Sequence, residues 1–271
     1  MRTDEVHMID LHAHILYGLD DGAENSEMML SMFHIAAEEG ITQIVATPHH
    51  IYGANKYDAQ MLDKRFGEAV EMLKSNGIDI SLYKGSEIFL DEYTPDNIKN
   101  GIAPTLAGTK YVLVELPMLG FPKQTESILY RILSNGFIPV IAHVERYADI
   151  RKDIEILKGF IEMGCISQVN ATSINGTAGR KIQETAKTVI ISSMAHLVAS
   201  DCHSDRRRSP RLKAAFETVR TWAGDEKAEM LFSRNPRSIL ENEAVHVDEP
   251  VIIRKKKFFS IKLPHKLPWE V

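Results

Sequence analysis

The sequence predicts an α/β barrel of seven strand-helix units, with a metal site built at the C-terminal ends of its strands. Three observations lead there. Short apolar runs alternate with helical patterns along almost the whole chain, the signature of a parallel sheet with right-handed crossovers. The runs end repeatedly in His, Asp or Glu, at IDLHAH, IVATPHH, YKGSEI, VLVEL, VIAHVER and LVASDCH. These endings also come from first, middle and last strands. An open doubly wound sheet would often hold such ends too far apart to share ions, whereas a barrel gathers them at one mouth.

Taken in order, strands end near Leu11, Ala46, Tyr83, Val114, Ala142, Val169 and Ala199, each a short apolar or β-branched run closed by polar residues. Helical patterns fill the intervals: 26–39 ahead of Gly40, 59–75 ahead of Asn76-Gly77, 124–134 ahead of Asn135-Gly136, 153–162 ahead of Gly164, and 180–194. Beyond the last strand come helical stretches at 210–222 and 226–232, then a closing turn around 236–241. Seven units make a barrel one short of the usual eight.

A chain of 271 residues, 44% of them hydrophobic, can bury a full core and suits one large domain. That domain is expected over residues 1–247, with 248–271 as an appended tail. The tail carries Arg254-Lys255-Lys256-Lys257-Phe258-Phe259 between prolines and ends near Trp269. A loose, solvated terminus is the plain reading of such a segment. The functional reading is a strip that docks on an acidic membrane surface or a membrane-bound partner.

A net charge of -5 supplies no global attraction to nucleic acid, and none is expected as a partner. Two cysteines, Cys165 and Cys202, form no spaced framework, so no disulfide scaffold is implied. The N-terminus has no basic region followed by a sustained apolar stretch, and no segment approaches the ~20 apolar residues of a membrane span. The expected location is the cytoplasm, peripheral at the inner face of the membrane if the tail docks there.

The candidate ligands are His12, His14, Asp21, His49, Glu87, Glu115, His143, Asp201 and His203. Imidazole with carboxylate suits manganese, iron or zinc. His12 and His14 fall on one face of an extended strand, so both can reach one ion. A lone H-x-H is weak; repeated at strand ends, the pattern becomes specific. Asp20-Asp21-Gly22 also reads as a turn, with Asp capping the helix that begins near Ser26. His49 and His50 are adjacent, so one at most points inward. Glu87 and Glu115 sit among apolar neighbours, where an unpaired carboxylate is too costly; each needs a metal or an arginine. The other six histidines have no such context.

Arg146 follows His143 closely, and Arg206, Arg207 and Arg208 follow His203. The planar fork of arginine matches phosphate oxygens. A metal cluster rimmed by arginine points to phosphate ester hydrolysis. One competing motif is C-x5-R from Cys202 to Arg208, the pattern of a cysteine-nucleophile phosphatase loop. Such a loop needs glycine for close backbone approach to phosphate and this one has none. Cys202 also lies between two ligands that alternate to one face, so its thiol is expected to face away.

With these motifs in place, the chain resembles the PHP superfamily, named for polymerase and histidinol phosphatase. It is similar especially to the bacterial manganese-dependent tyrosine-protein phosphatases that act beside capsular and exopolysaccharide tyrosine kinases. The resemblance spans about 8–244 through IDLHAHIL, LDDG, IVATPHH, GSEI, YVLVELP, IPVIAHVERY and VASDCH. It implies a distorted (β/α)7 barrel holding three divalent ions, manganese first, with iron or zinc as alternatives. Matched by position, His12, His14, Glu87 and Asp201 would surround one ion. Glu87, Glu115 and His143 would hold a second, and Asp21, His49 and His203 a third. Arg146 and Arg208 would bind phosphate as the catalytic arginines, Arg206 and Arg207 remaining alternatives within the triple run. The implied partner is a phosphorylated bacterial tyrosine kinase. Two rivals share these motifs: a small-molecule phosphatase of the histidinol-phosphatase kind, and a metal-stabilised docking protein without turnover. A cyclic-amide hydrolase is a third, which the arginine rim disfavours.

Overall fold

The structure, a computed structural model, describes residues 7–251. The basic-aromatic run beginning at Arg254 lies outside the described residues. Nine strand segments follow in order: β1 (Met8–Ala13), β2 (Ile41–Ala46), β3 (His49–His50), β4 (Ser81–Lys84), β5 (Glu87–Phe89), β6 (Tyr111–Glu115), β7 (Ile138–Ile141), β8 (Ile166–Asn170) and β9 (Leu197–Ala199). Every pairing between them is parallel.

Two of the expected strands are bent, and each bend divides one strand into two segments. Thr47-Pro48 separates β2 from β3, and Gly85-Ser86 separates β4 from β5. Proline offers no N–H to the ladder, and a Cβ at position 85 would lie 2.8 Å from Val45 Cγ1, so only glycine lets the chain pass there. The ladder consequently splits into β1-β2-β4 and β3-β5-β6-β7-β8-β9. Backbone bonds bridge the split: Thr47 N to Ala13 O at 2.9 Å and Glu87 N to Pro48 O at 3.1 Å. At the other seam, Asp201 N donates to His12 O and His14 N to Cys202 O, both at 2.9 Å. The curled sheet thus meets itself, and the seven expected strands form a distorted barrel.

The helices are α1 (Ser26–Glu38), α2 (Ala59–Ser75), α3 (Thr94–Lys99), α4 (Thr125–Ser134), α5 (Ala148–Lys152), α6 (Glu155–Met163), α7 (Ala171–Ile174), α8 (Arg180–Ile191), α9 (Lys213–Ala223), α10 (Asp225–Glu229) and α11 (Asn235–Leu240), the last two joined by π-helical Met230–Arg234. Five of them, α3, α5, α7, α10 and α11, have six residues or fewer, and the first three are isolated turns too short to show a helical period in sequence. The cap of α1 corrects an expectation: Asn25, not an aspartate of the preceding loop, accepts from Met28 N at 2.9 Å. Among the described residues, no helix is long and apolar enough to cross a membrane.

Strand alternation builds two packed layers. Ile9, Leu11, Val45, Tyr111, Leu113, Val140, Ala142, Ile166, Leu197 and Ala199 pack together inside the barrel. The intervening residues, among them Ile44, Val112, Val114, Ile141, Val169 and Val198, pack outward against the helices. The inside layer fills the lower barrel and leaves its C-terminal mouth to polar side chains.

Candidate metal centre

The mouth is reached by continuing each strand past its inward apolar residues. Glu115 follows Tyr111 and Leu113 at period two, and Asp201 follows Leu197 and Ala199 in the same way. On β1 the register shifts between Asp10 and Ala13. A shift of this kind re-aims side chains beside a site, and here it lets His12 turn into the mouth directly after inward Leu11. Parallel pairing sets His49 beside Glu87 across β3 and β5. His143 and Asp201 both adopt the left-handed region, with φ of 34° and 52°, a costly conformation for residues with a Cβ that often marks functional positions.

All nine candidate ligands form one connected cluster. His12 Nε2 lies 3.3 Å from Glu87 Oε2 and 3.5 Å from Asp201 Oδ1. His14 Nε2 is 3.2 Å from the same Glu87 oxygen. His143 Nε2 stands 3.0 Å from Glu87 Oε1 and 3.7 Å from Glu115 Oε1. On the outer side, Asp21 Oδ1 lies 3.2 Å from His203 Nε2 and 3.4 Å from His49 Nε2. Glu87 is central, since its second oxygen is also 3.0 Å from His49 Nδ1. The tightest groupings of donor atoms, all within 4.8 Å of one another, are His14-Asp21-His49-His203, His12-His14-Glu87 and His49-Glu87-Glu115. His14 and His49 therefore each lie between two groups.

Both arginines reach the cluster through one carboxylate. Arg146 Nη1 is 3.2 Å from Asp201 Oδ2, and Arg208 Nη2 is 2.7 Å from Asp201 Oδ1. Arg206 is exposed and lies nearest its neighbour Asp205, while Arg207 lines the cavities on either side of Arg208. His50 is buried and faces away from the cluster, towards Asn55. Cys202 is fully buried in the outer core, and burial together with the nearby Asp10 carboxylate holds its thiol far above the ordinary range. It faces the helices, as alternation requires.

Three side chains that the sequence reading leaves out complete the arrangement. Asp20 Oδ2 sits 2.6 Å from His14 Nδ1 and also accepts from His49 N at 2.9 Å. The expected turn is present as well, because its other oxygen accepts from Gly22 N. A Cβ at Gly22 would come within 2.1 Å of His14 O, so this loop can close on the site only through glycine. Gln168 Oε1 accepts from His143 N at 2.9 Å and lies 3.1 Å from His12 Nδ1. Gln168 then donates to Asn170 Oδ1 at 2.7 Å, and Asn170 donates to Asp201 Oδ2 at 2.6 Å. The available signal was the inward alternation Ile166, Gln168, Asn170 on a buried strand.

These contacts decide what the cluster can hold. Because Gln168 Oε1 and Asp20 Oδ2 are acceptors, the ring protons of His12 and His14 belong on Nδ1. Both Nε2 atoms then present lone pairs to one point, 3.1 Å apart, where oxygens of Glu87 and Asp201 also converge. Only a cation reconciles four acceptors at such distances, and the donor set fits a divalent metal. Without metal, protons take that role. Burial alone would lower the pKa of His14, but its bonds to Asp20 and Glu87 outweigh this and push it up to about 10. Burial would likewise raise the pKa of Glu87 and Asp201, yet the histidines around them, joined by Arg208 at Asp201, hold both well below the usual carboxylate range. Glu115 is raised instead, by burial and by the charge of Glu87.

A parallel barrel with histidines and carboxylates converging at its mouth defines a hydrolase of the metal-dependent barrel class. Residues 8–241 match the family model for capsular polysaccharide synthesis, CpsB/CapC. The chain is similar to the putative tyrosine-protein phosphatase CapC of Staphylococcus aureus, at 31% identity over 94% of this chain and 100% of that protein. It is also similar to the tyrosine-protein phosphatase YwqE of Bacillus subtilis strain 168, at 30% identity over 93% and 99%. A crystal structure from work on YwqE and on CpsB of Streptococcus pneumoniae, described as metal-dependent tyrosine phosphatases, superposes with a TM-score of 0.87 at 30% identity, covering 92% of this chain and 100% of the other. The chain belongs to the CpsB/CapC family.

Proposed function

We propose that this chain is a metal-dependent phosphotyrosine-protein phosphatase that removes phosphate from a bacterial tyrosine kinase governing polysaccharide synthesis. The observation that carries the reading is the convergence of His12 Nε2, His14 Nε2, Glu87 and Asp201 on one point, with two guanidinium groups bonded to Asp201. In this reading His12, His14, Glu87 and Asp201 hold one ion, Glu87, Glu115 and His143 a second, and Asp21, His49 and His203 a third. Manganese is the metal we assign, because a mixed imidazole and carboxylate set suits it. Such ions, when bound, acidify coordinated water towards neutral pH and offset negative charge on phosphate.

The chain's own residues supply the rest. Arg146 and Arg208, both held beside Asp201, would present donors to the non-bridging phosphate oxygens and stabilise charge that grows there. Glu87 and Asp201, both ionised, fix the spacing of the donor set. Gln168 and Asp20 keep His12 and His14 in the tautomer that offers Nε2 inward. A phenol leaves with a pKa near ~10, so departure of tyrosine needs less help from a general acid than departure of an alkyl alcohol.

We place the reaction in the cytoplasm, with the domain boundary near residue 247 and the remaining tail directed to an acidic membrane surface close to the kinase. The testing experiment compares kcat/KM of the manganese-loaded protein on phosphotyrosine peptides and on histidinol phosphate. A clear preference for the peptide supports the reading, and a preference for histidinol phosphate replaces it with a small-molecule phosphatase.

A further inference from the structure

Beside Asp201 a cavity of about 670 Å³ opens between the arginines and the connection from α7 to α8. We infer that this cavity is an aryl subsite, taking the ring of an aryl phosphate monoester while its phosphate lies against Arg146 and Arg208. The inference rests on the phosphatase reading above and names the part of the site that selects tyrosine.

The walls are chemically divided. One part of the lining is Asn170 and Asp201 with Arg146, Arg207 and Arg208, whose three guanidinium groups outnumber the one carboxylate, so the phosphate end is cationic. The opposite wall is Thr172, Thr177, Ala178 and Ile182, which offer methyl groups and a branched alkyl chain with no formal charge. A ring between them meets apolar surface on one face and guanidinium planes on the other, a pairing that favours aromatic groups. The volume falls in the range of small-molecule sites, ~300 to 1,000 Å³.

The wall is also held in place before any ligand arrives. Thr177 donates through both N and Oγ1 to Thr172 O, at 3.1 and 2.9 Å. Gln183 Nε2 donates to Ile174 O at 2.9 Å beneath the loop. A second cavity, on the far side of Arg207 and Arg208, is a poorer candidate: it is also lined by Glu24, a carboxylate outside the proposed ligand set that would repel the substrate's negative charge.

The test uses the manganese-loaded protein and two non-hydrolysable probes, phenylphosphonate and methylphosphonate, with affinities read by calorimetry. The wild-type protein is expected to bind the phenyl probe at least tenfold more tightly. Ala178→Phe, which narrows the cavity, and Ile182→Ala, which removes the branched alkyl chain from its wall, are each expected to lose most of that preference while methylphosphonate affinity stays within about threefold. No ring preference in the wild type overturns the inference, as does a preference that survives both variants. Equal weakening of both probes overturns it too, since the wall would then act through the phosphate end. A wild-type protein that prefers the phenyl probe yet releases no phosphate from phosphotyrosine peptides would sink the phosphatase reading and leave the aryl subsite standing.

Discussion

Asp20 Oδ2 lies 2.6 Å from Nδ1 of His14, buried on the far side of the ring from the Nε2 that faces Glu87. A carboxylate behind an imidazole fixes its tautomer and raises its basicity towards a metal. Asp20→Ala is therefore expected to weaken manganese binding by roughly 10 to 100-fold, with the fold retained as judged by circular dichroism. Manganese titration of the variant checks this, and unchanged affinity would show that Asp20 serves only its turn.

Metal uptake should release protons. In metal-free protein the folded-state pKa of His14 is pushed up to about 10, so its extra proton stabilises the fold fully below the ordinary value of ~6.5 and is lost only as pH rises towards about 10. Manganese must displace that proton. Binding should tighten as pH rises through this window, and mixing metal with protein at neutral pH in weak buffer should acidify the solution. A pH-independent affinity would contradict the assignment of His14 as ligand.

Arg146→Ala should leave metal content intact and lower kcat/KM by ~2 to 4 kcal/mol of transition-state stabilisation. The separation matters because Arg146 touches the donor set only through Asp201. Loss of metal alongside loss of rate would instead make it a support for that carboxylate.

Most of this centre could be read from sequence because a parallel barrel delivers strand ends to one mouth, so ligand types at those ends announce themselves. The strand positions of Glu115 and Asp201 needed nothing more than alternation, whereas the inward turn of His12 after inward Leu11 depends on the register shift in β1. What sequence hid depended on contacts between distant segments. Asp20 resembled a turn residue until His14 came to lie against it, and Gln168 and Asn170 carried no ligand signal because they act on His12, His143 and Asp201 rather than on metal. The bends at Pro48 and Gly85 were equally hidden, since each divides a strand that keeps its direction and its pairing partner.

Cys202→Ser separates the two phosphatase chemistries this sequence could encode. With its thiol buried in the outer core and held protonated, the variant should retain most activity and accumulate no phosphoenzyme. Burying a hydroxyl in that core should cost about 1 to 3 kcal/mol of stability, visible in a urea melt. A dead enzyme with normal metal content would return the nucleophile to the cysteine.

The most direct measurement is metal analysis joined to turnover on one preparation. Protein stripped with EDTA should release no phosphate from a phosphotyrosine peptide. Titrated with manganese, it should regain activity in step with bound metal, reaching its plateau as three ions per chain are taken up. Full turnover by metal-free protein would contradict the assignment of His12, His14, Glu87 and Asp201 as the heart of the site.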